Sequence, residues 1–321
     1  MTASVVPTVD EITRASGLLD PLFAHSPLLH GTPLDGGGAT VALKVETLNP
    51  IRSFKGRGAT VWMRAAGAET AGVVCASVGN FGQGLAYAAS NAGVPCTVFV
   101  GTSANPAKVA AIRALGAEVK TGGPDYDTAI DTARAFAEER GLSFVQDGRD
   151  RWIAAGAATM AVEVTEAGFR PDVVLVPVGN SALILGIARW LRHAQPGVQV
   201  VGVCAEQAPA PALSWRAGSV VGTPSAATVA DGIAVREPFP EAVAAMSDLV
   251  DDMVLVSEAE LREGTRWLAD RLGLLVEAAG AAGVAALRSD PDRWRGRVIW
   301  TPLCGGHLPP EAFSWSTAWA S

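Results

Sequence analysis

Residues 70–107 read TAGVVCASVGNFGQGLAYAASNAGVPCTVFVGTSANPA, a stretch without one charged side chain. Such a run suits either a membrane span or a segment buried on all sides. Ser77, Asn80, Gln83, Ser90, Asn91, Thr102 and Ser103 recur through it with many glycines, so no uninterrupted apolar run of about 20 residues exists to cross a bilayer. The alternative is a strand, a glycine-rich turn, a helix and a second strand inside a parallel sheet covered on both faces, where strands are apolar throughout. Two β-branched pieces, 72–76 and 96–100, flank the turn and the helix and complete that unit.

The same alternation extends over the chain. Apolar runs at 41–45, 142–146, 173–178, 198–205, 253–256 and 298–300 are separated by stretches of helical period at 106–115, 126–140, 153–167, 183–193, 258–272 and 281–287. This pattern predicts a doubly wound, mostly parallel α/β fold, whose ligands sit beyond the carboxyl ends of the strands. No linker divides the chain, so a second domain is expected as an insertion with its own small sheet.

Composition narrows the function classes. The 321 residues carry 25 basic and 32 acidic side chains, a net charge of −7, and 49% hydrophobic residues. That is too apolar for disorder and too acidic for a nucleic-acid binder. Residues 1–11 lack a basic start and an apolar core, so no secretory signal and no membrane partner are expected. Cys75, Cys96, Cys204 and Cys304 form no CxxC pair, and His25, His30, His193 and His307 are scattered, which points to cytoplasmic thiols and no metal site.

Only four of the 25 basic residues are lysine: Lys44, Lys55, Lys108 and Lys120. Lys108 and Lys120 read as solvated charges on helix faces. Lys55 lies in the unusual segment Asn49-Pro-Ile-Arg-Ser-Phe-Lys-Gly-Arg-Gly-Ala59, at the start of a plausible helix over 56–64. The helix dipole disfavours a cation there, and a lysine that sheds its proton is a nucleophile able to form a Schiff base with an aldehyde. Two strand-to-helix turns accompany it. Ala76-Ser-Val-Gly-Asn-Phe-Gly-Gln-Gly84 opens a helix from Leu85, and Val176-Pro-Val-Gly-Asn-Ser-Ala-Leu-Ile-Leu-Gly186 has no Walker lysine but offers backbone amides to an anion. A fourth segment, Trp300-Thr-Pro-Leu-Cys-Gly-Gly-His307, follows the last strand. Each turn taken alone is also an ordinary connection.

In joint order these segments resemble the fold-type II pyridoxal-phosphate enzymes, in the serine/threonine dehydratase and serine racemase branch of the tryptophan synthase β superfamily. The family's SFKxRGA, SxGNxxQG, glycine loop, TxADGxxV and SGGN correspond to residues 53–59, 77–84, 179–183, 228–235 and 304–307, and Val276-Glu-Ala-Ala-Gly-Ala-Ala282 matches its VEPSGAA. The resemblance implies two domains, residues 1–64 with 147–321 binding pyridoxal 5′-phosphate and 65–146 inserted between them, and a homodimer. It implies that Lys55 holds the cofactor, Phe54 packs on its ring, Asn80 bonds the ring hydroxyl, and Cys304 faces the ring nitrogen. The amides of Gly179, Asn180, Ser181, Ala182 and Leu183 take the phosphate, and Gly232 lines the same pocket. Ser77 with Val78, Gly79, Asn80 and Phe81 binds the carboxylate of a small amino-acid substrate. The implied reaction is β-elimination from serine, threonine or a β-substituted relative. Lys55 removes the α-proton, and the enamine released hydrolyses to a 2-oxo acid and ammonia.

Several positions depart from the family pattern. Val78 stands where racemases carry a hydroxyl-bearing proton shuttle, which disfavours racemisation. The 179–183 loop has lost glycines, though Asn180 tolerates a left-handed backbone. Arg52 replaces a glycine, either pairing with an acidic group of the substrate or lying on the surface, and His307 replaces asparagine. After Glu206 the carboxylate of a divalent-ion site is replaced by Ala212, which disfavours a tight magnesium site and leaves room only for a monovalent cation at carbonyls. The chain ends at Ser321, and no C-terminal regulatory domain is expected. Two other readings stay open from residues alone: β-replacement by a second nucleophile, and a noncatalytic cofactor or amino-acid binder.

Overall fold

The computed structural model describes residues 4–33, 38–67, 69–102, 104–124, 126–309 and 312. In chain order its elements are α1 (Val9–Leu18), β1 (Leu28–Pro33), β2 (Thr40–Val45), α2 (Lys55–Ala65), β3 (Val73–Ala76), α3 (Asn80–Ala92), β4 (Cys96–Gly101), α4 (Pro106–Ala114), β5 (Glu118–Gly123), α5 (Tyr126–Arg140) and β6 (Ser143–Phe144). They continue with α6 (Arg151–Glu166), β7 (Val173–Pro177), α7 (Ala182–Ala194), β8 (Gln199–Ala205), α8 (Ala210–Ala217), a 3₁₀ turn at Asp231–Ile233, α9 (Pro240–Leu249), β9 (Asp252–Val256), α10 (Glu258–Leu272), α11 (Ala278–Ser289) and β10 (Val298–Leu303).

The strands form two sheets. One has the order β1-β2-β10-β7-β8-β9, and the other β5-β4-β3-β6. Every described pairing between named strands is parallel except β1 with β2. The central strands are buried along their whole length, as Val173–Pro177 illustrates, because helices cover both faces. The four-stranded sheet is built wholly from residues 73–144, whereas the six-stranded sheet draws strands from both sides of that segment.

Elements that the hydrophobic pattern did not single out are edges or short helices. β5 carries Glu118 and Lys120, and these residues pair with each other at 3.0 Å. Lys120 therefore sits on an edge strand, not on a helix face, because one side of such a strand meets solvent and tolerates charge. β1 is likewise an edge, broken by a register shift between His30 and Thr32. Helix α3 begins at Asn80 and not at Leu85, so the glycine-rich turn is itself the first turn of the helix.

Small residues set how the helices cross. A Cβ on Gly156 of α6 would lie 2.6 Å from the Arg57 carbonyl oxygen and the Gly58 Cα of α2. One on Gly186 of α7 would lie 2.2 Å from the Ala154 oxygen of α6. Contacts this close exist only where neither helix carries a side chain at the crossing. They fix α2, and hence Lys55 at its first position, against the frame of the larger sheet.

Candidate active site

A cavity of about 1030 Å³ opens where three strands end. Ser77 follows β3, Gly179 follows β7 and Cys304 follows β10, so the site lies beyond carboxyl ends as a doubly wound sheet predicts. Phe54, Lys55, Ser77, Val78, Gly79, Asn80, Phe81, the loop Gly179 to Leu183, Gly232 and Cys304 all line it. Arg52 does not. Its backbone takes φ 50, its carbonyl accepts from the Gly306 amide at 2.9 Å, and its side chain is exposed outside the cavity lining.

The segments before Lys55 and after β10 are tied directly to each other. The Phe54 amide donates to the Cys304 oxygen at 3.0 Å, the Ser53 hydroxyl to the same oxygen at 3.2 Å, and Ser53 bridges to Gly305. This brings the lysine and the thiol into one pocket. Lys55 Nζ lies 2.7 Å from Asp147 Oδ2 and 4.6 Å from the centroid of the Phe54 ring. Cys304 is buried, and desolvation followed by the Glu46 and Glu277 carboxylates pushes its thiol well above the ordinary range. The thiol is neutral at every physiological pH.

Five helix starts along the cavity, those of α2, α3, α7, α9 and α11, carry no side-chain cap, and the starts of α3 and α7 follow the two strand-to-helix turns. Helices α1, α4, α6 and α10 are capped by Thr8, Asn105, Asp150 and Ser257. The N-cap residues of α3 and α7, Gly79 and Ser181, make no such bond. First-turn amides have no partner within their helix, and together with the dipole they form an anion site. At α7 the left-handed residue is Ser181, φ 70, and not Asn180. The loop also depends on glycine: a Cβ on Gly179 would lie 2.9 Å from the Gly232 oxygen.

Glu277, just before α11, joins the remaining parts. Its Oε1 accepts from Asn80 Nδ2 at 2.7 Å and its Oε2 from the His307 amide at 3.1 Å, while its own amide donates to Gly305 O at 2.9 Å. Burial, then the Asp231 carboxylate, raise the Glu277 carboxyl to about 7 against the pull of those donors. His307 shares the cavity wall, with Nε2 2.8 Å from the Ile51 oxygen. Burial pushes its imidazole down.

Sequence reasoning passed over three of these residues. Glu277 was visible as part of a family motif but had no role assigned. Asp147 follows directly on the predicted strand 142–146, and a charge at a buried strand's carboxyl end was the available signal. Lys108 is not a free surface charge: it lines the cavity and pairs with Asp231.

The residues present fit a phosphorylated aldehyde cofactor. Five residues of uncapped helix start offer amides to the phosphate, a lysine amine lies in the same cavity, and an aromatic ring stands beside it. A family model described as pyridoxal-phosphate dependent enzyme matches residues 21–305. An L-threonine ammonia-lyase of Geobacter sulfurreducens is 41% identical over 78% of this chain and 63% of its own length, so the chain spans less than two thirds of that relative. An L-threonine ammonia-lyase of Thermotoga maritima is 33% identical over 94% of this chain and 76% of its own. The crystal structure of a threonine deaminase from T.th. superposes with a TM-score of 0.88 at 32% identity, covering 94% of this chain and 99% of that one. With the lysine, the thiol and the two helix starts gathered in one cavity, these likenesses show that the chain belongs to the pyridoxal-phosphate dependent enzyme family and has the fold-type II architecture.

Proposed function

We propose that this protein is an ammonia-lyase that eliminates the β-substituent of serine, threonine or a related amino acid, giving a 2-oxo acid and ammonia. One observation carries the reading: a lysine amine shares a cavity with the uncapped starts of α7 and α3, the first suited to a phosphate and the second to a carboxylate. The names of the relatives support it.

When bound, pyridoxal phosphate supplies an electron sink for charge at the substrate's α-carbon. The chain supplies the rest. Amides at the start of α7 hold the phosphate, and those at the start of α3, with the Ser77 hydroxyl, hold the substrate carboxylate. Lys55 would hold the cofactor, and its free amine would accept the substrate's α-proton at Nζ. Cys304 would present a neutral thiol to the bound group, where a carboxylate would hold a proton more firmly, and this would favour prompt loss of the β-substituent. Val78 has no proton to give, which disfavours return of a proton from the opposite side and hence racemisation.

In this proposal residues 65–146 form the small domain and 1–64 with 147–321 the large one. The protein works in the cytoplasm as a homodimer, for which the four buried free thiols support the compartment. Among the described residues no helix is long and apolar enough to cross a membrane.

The experiment is to incubate the cofactor-loaded protein with L-serine and L-threonine and measure both products. Equal amounts of 2-oxo acid and ammonia from the amino acid alone are expected. A strict need for a second nucleophile would establish β-replacement instead, and a change in cofactor absorbance with no product would establish a binding protein.

A further inference from the structure

The residues assigned to the lysine, the phosphate and the carboxylate form only part of the cavity wall. Another part is apolar and comes from two segments that hold none of those groups. Tyr126 and Ile130 sit four positions apart on one face of α5. That helix follows β5, so its start lies at the same end of the smaller parallel sheet as Ser77, which follows β3. The other segment runs from the 3₁₀ turn to α9 and carries Ile233, Val235 and Phe239. It abuts the phosphate loop, because a Cβ on Gly179 would lie 2.9 Å from the Gly232 oxygen. The apolar wall therefore begins beside both the carboxylate site and the phosphate site.

Two nearby cations are engaged within the protein. Lys108 pairs with Asp231, and Arg149, whose guanidinium stands 4.9 Å over the Phe239 ring, has its Nε 2.7 Å from Glu241 Oε1. Tyr126 is exposed and Ile130, Val235 and Phe239 are half-buried, which leaves apolar surface for a ligand to cover. Volume points the same way. At about 1030 Å³ the cavity stands at the upper limit of pockets that enclose a drug-sized ligand, roughly 300–1,000 Å³, so the cofactor and a three-carbon amino acid leave part of it unfilled. Each segment contributes one aromatic ring, and rings gain from contact with one another beyond the area they bury. We propose that this wall holds an aromatic ring on the substrate's β-carbon, so that the enzyme's substrate class is β-aryl-β-hydroxy amino acids. The proposal rests on the β-eliminating reading of Lys55 given above.

The bonds made and broken are those of serine deamination. The Cα–H bond breaks with its proton passing to Lys55, and the Cβ–O bond breaks with its electron pair leaving on oxygen, which takes up a proton and departs as water. The enamine left behind takes up one water and yields an aryl 2-oxo acid and ammonia. Oxidation at Cα balances reduction at Cβ, so no external oxidant takes part. The wall adds selection: covering a ring of this size favours the aryl substrate over serine by about tenfold or more. It also disfavours a charged β-substituent, which would lose water against Ile130 and Val235 without gaining a partner.

The test compares L-threo-β-phenylserine with L-serine in the holoenzyme and in Ile130→Asn. The wild type is expected to release one 2-oxo acid and one ammonia per phenylserine, with kcat/KM about tenfold or more above that for serine. In the variant that ratio is expected to fall about tenfold, the usual discrimination of an apolar pocket. Val235→Asn takes the place of Ile130→Asn if that variant does not fold. A second readout is binding without turnover, since L-phenylalanine carries the ring and no leaving group, and L-alanine carries neither. By the cofactor absorbance of the holoenzyme, L-phenylalanine is expected to bind about tenfold or more tighter than L-alanine, and the variant to lose most of that difference. Turnover of serine with kcat/KM for phenylserine no higher, or a phenylalanine-to-alanine ratio that the variant leaves unchanged, overturns this inference and leaves the lyase reading intact. Absence of 2-oxo acid from every amino acid overturns the lyase reading, and this inference with it.

Discussion

Glu277 shows how one buried side chain makes the site sensitive to pH. Its carboxyl is held at about 7 chiefly by desolvation, with the Asp231 carboxylate adding to the effect. Raising a carboxyl above its unfolded value means that the folded protein keeps a proton which the unfolded chain gives up, so stability falls as pH rises from about 4.5 through 7. The shift corresponds to roughly 3 kcal/mol. Urea denaturation of the cofactor-free protein at pH 5 and pH 7.5 is expected to show that loss, and Glu277→Gln is expected to remove most of the slope. Ser181 is the second residue whose conformation matters, since φ 70 is costly for any side chain branched at Cβ. Ser181→Val is expected to lower stability by about 1–3 kcal/mol and to weaken cofactor binding, read by denaturation and by equilibrium dialysis of pyridoxal phosphate. Lys55 and Cys304 were legible as residues because their motifs are local. Asp147 was not, because its meaning is a contact with Lys55 across 92 positions.

At the scale of elements, the crossing of α2 and α6 decides where Lys55 stands. Gly156→Ala places a methyl 2.6 Å from the Arg57 oxygen and the Gly58 Cα, and backbone atoms cannot turn aside as a side chain does. Overpacking of this kind costs about 1–3 kcal/mol, so the variant's denaturation midpoint is expected to fall and its cofactor affinity with it. The buried strands β3, β4, β7, β8 and β10 were legible because parallel strands covered on both faces are continuously apolar. β5 was not, since an edge strand carries charges and so loses that signal. The start of α3 was misplaced by five residues because glycine and asparagine read as a turn. Here they form the first turn of a helix whose amides face the cavity.

Across the whole molecule, one buried ionic cluster joins the N-terminal strands to α2 and α6. Arg57 is 0% exposed, yet every guanidinium nitrogen is engaged. Nε and Nη2 donate to Glu46, Nη1 to Thr159 and Glu163, and Nη2 also to Ser26 and Glu163. Lys44 pairs with Glu163, so two cations balance two carboxylates. Burial alone would raise the Glu163 carboxyl, but Arg57 and Lys44 hold it below the ordinary range. Arg57→Met leaves two buried carboxylates with one cation, and a loss of about 3–5 kcal/mol is expected in chemical denaturation. The motif around residues 53–59 made Arg57 visible, but its partners lie 11 and 106 positions away and only the fold brings them together. The proposed chemistry depends on one covalent bond. Borohydride reduction of the pyridoxal-phosphate-loaded protein, followed by peptide mapping, is expected to place the reduced cofactor on Lys55, and its recovery on any other peptide, or on none, would contradict the account.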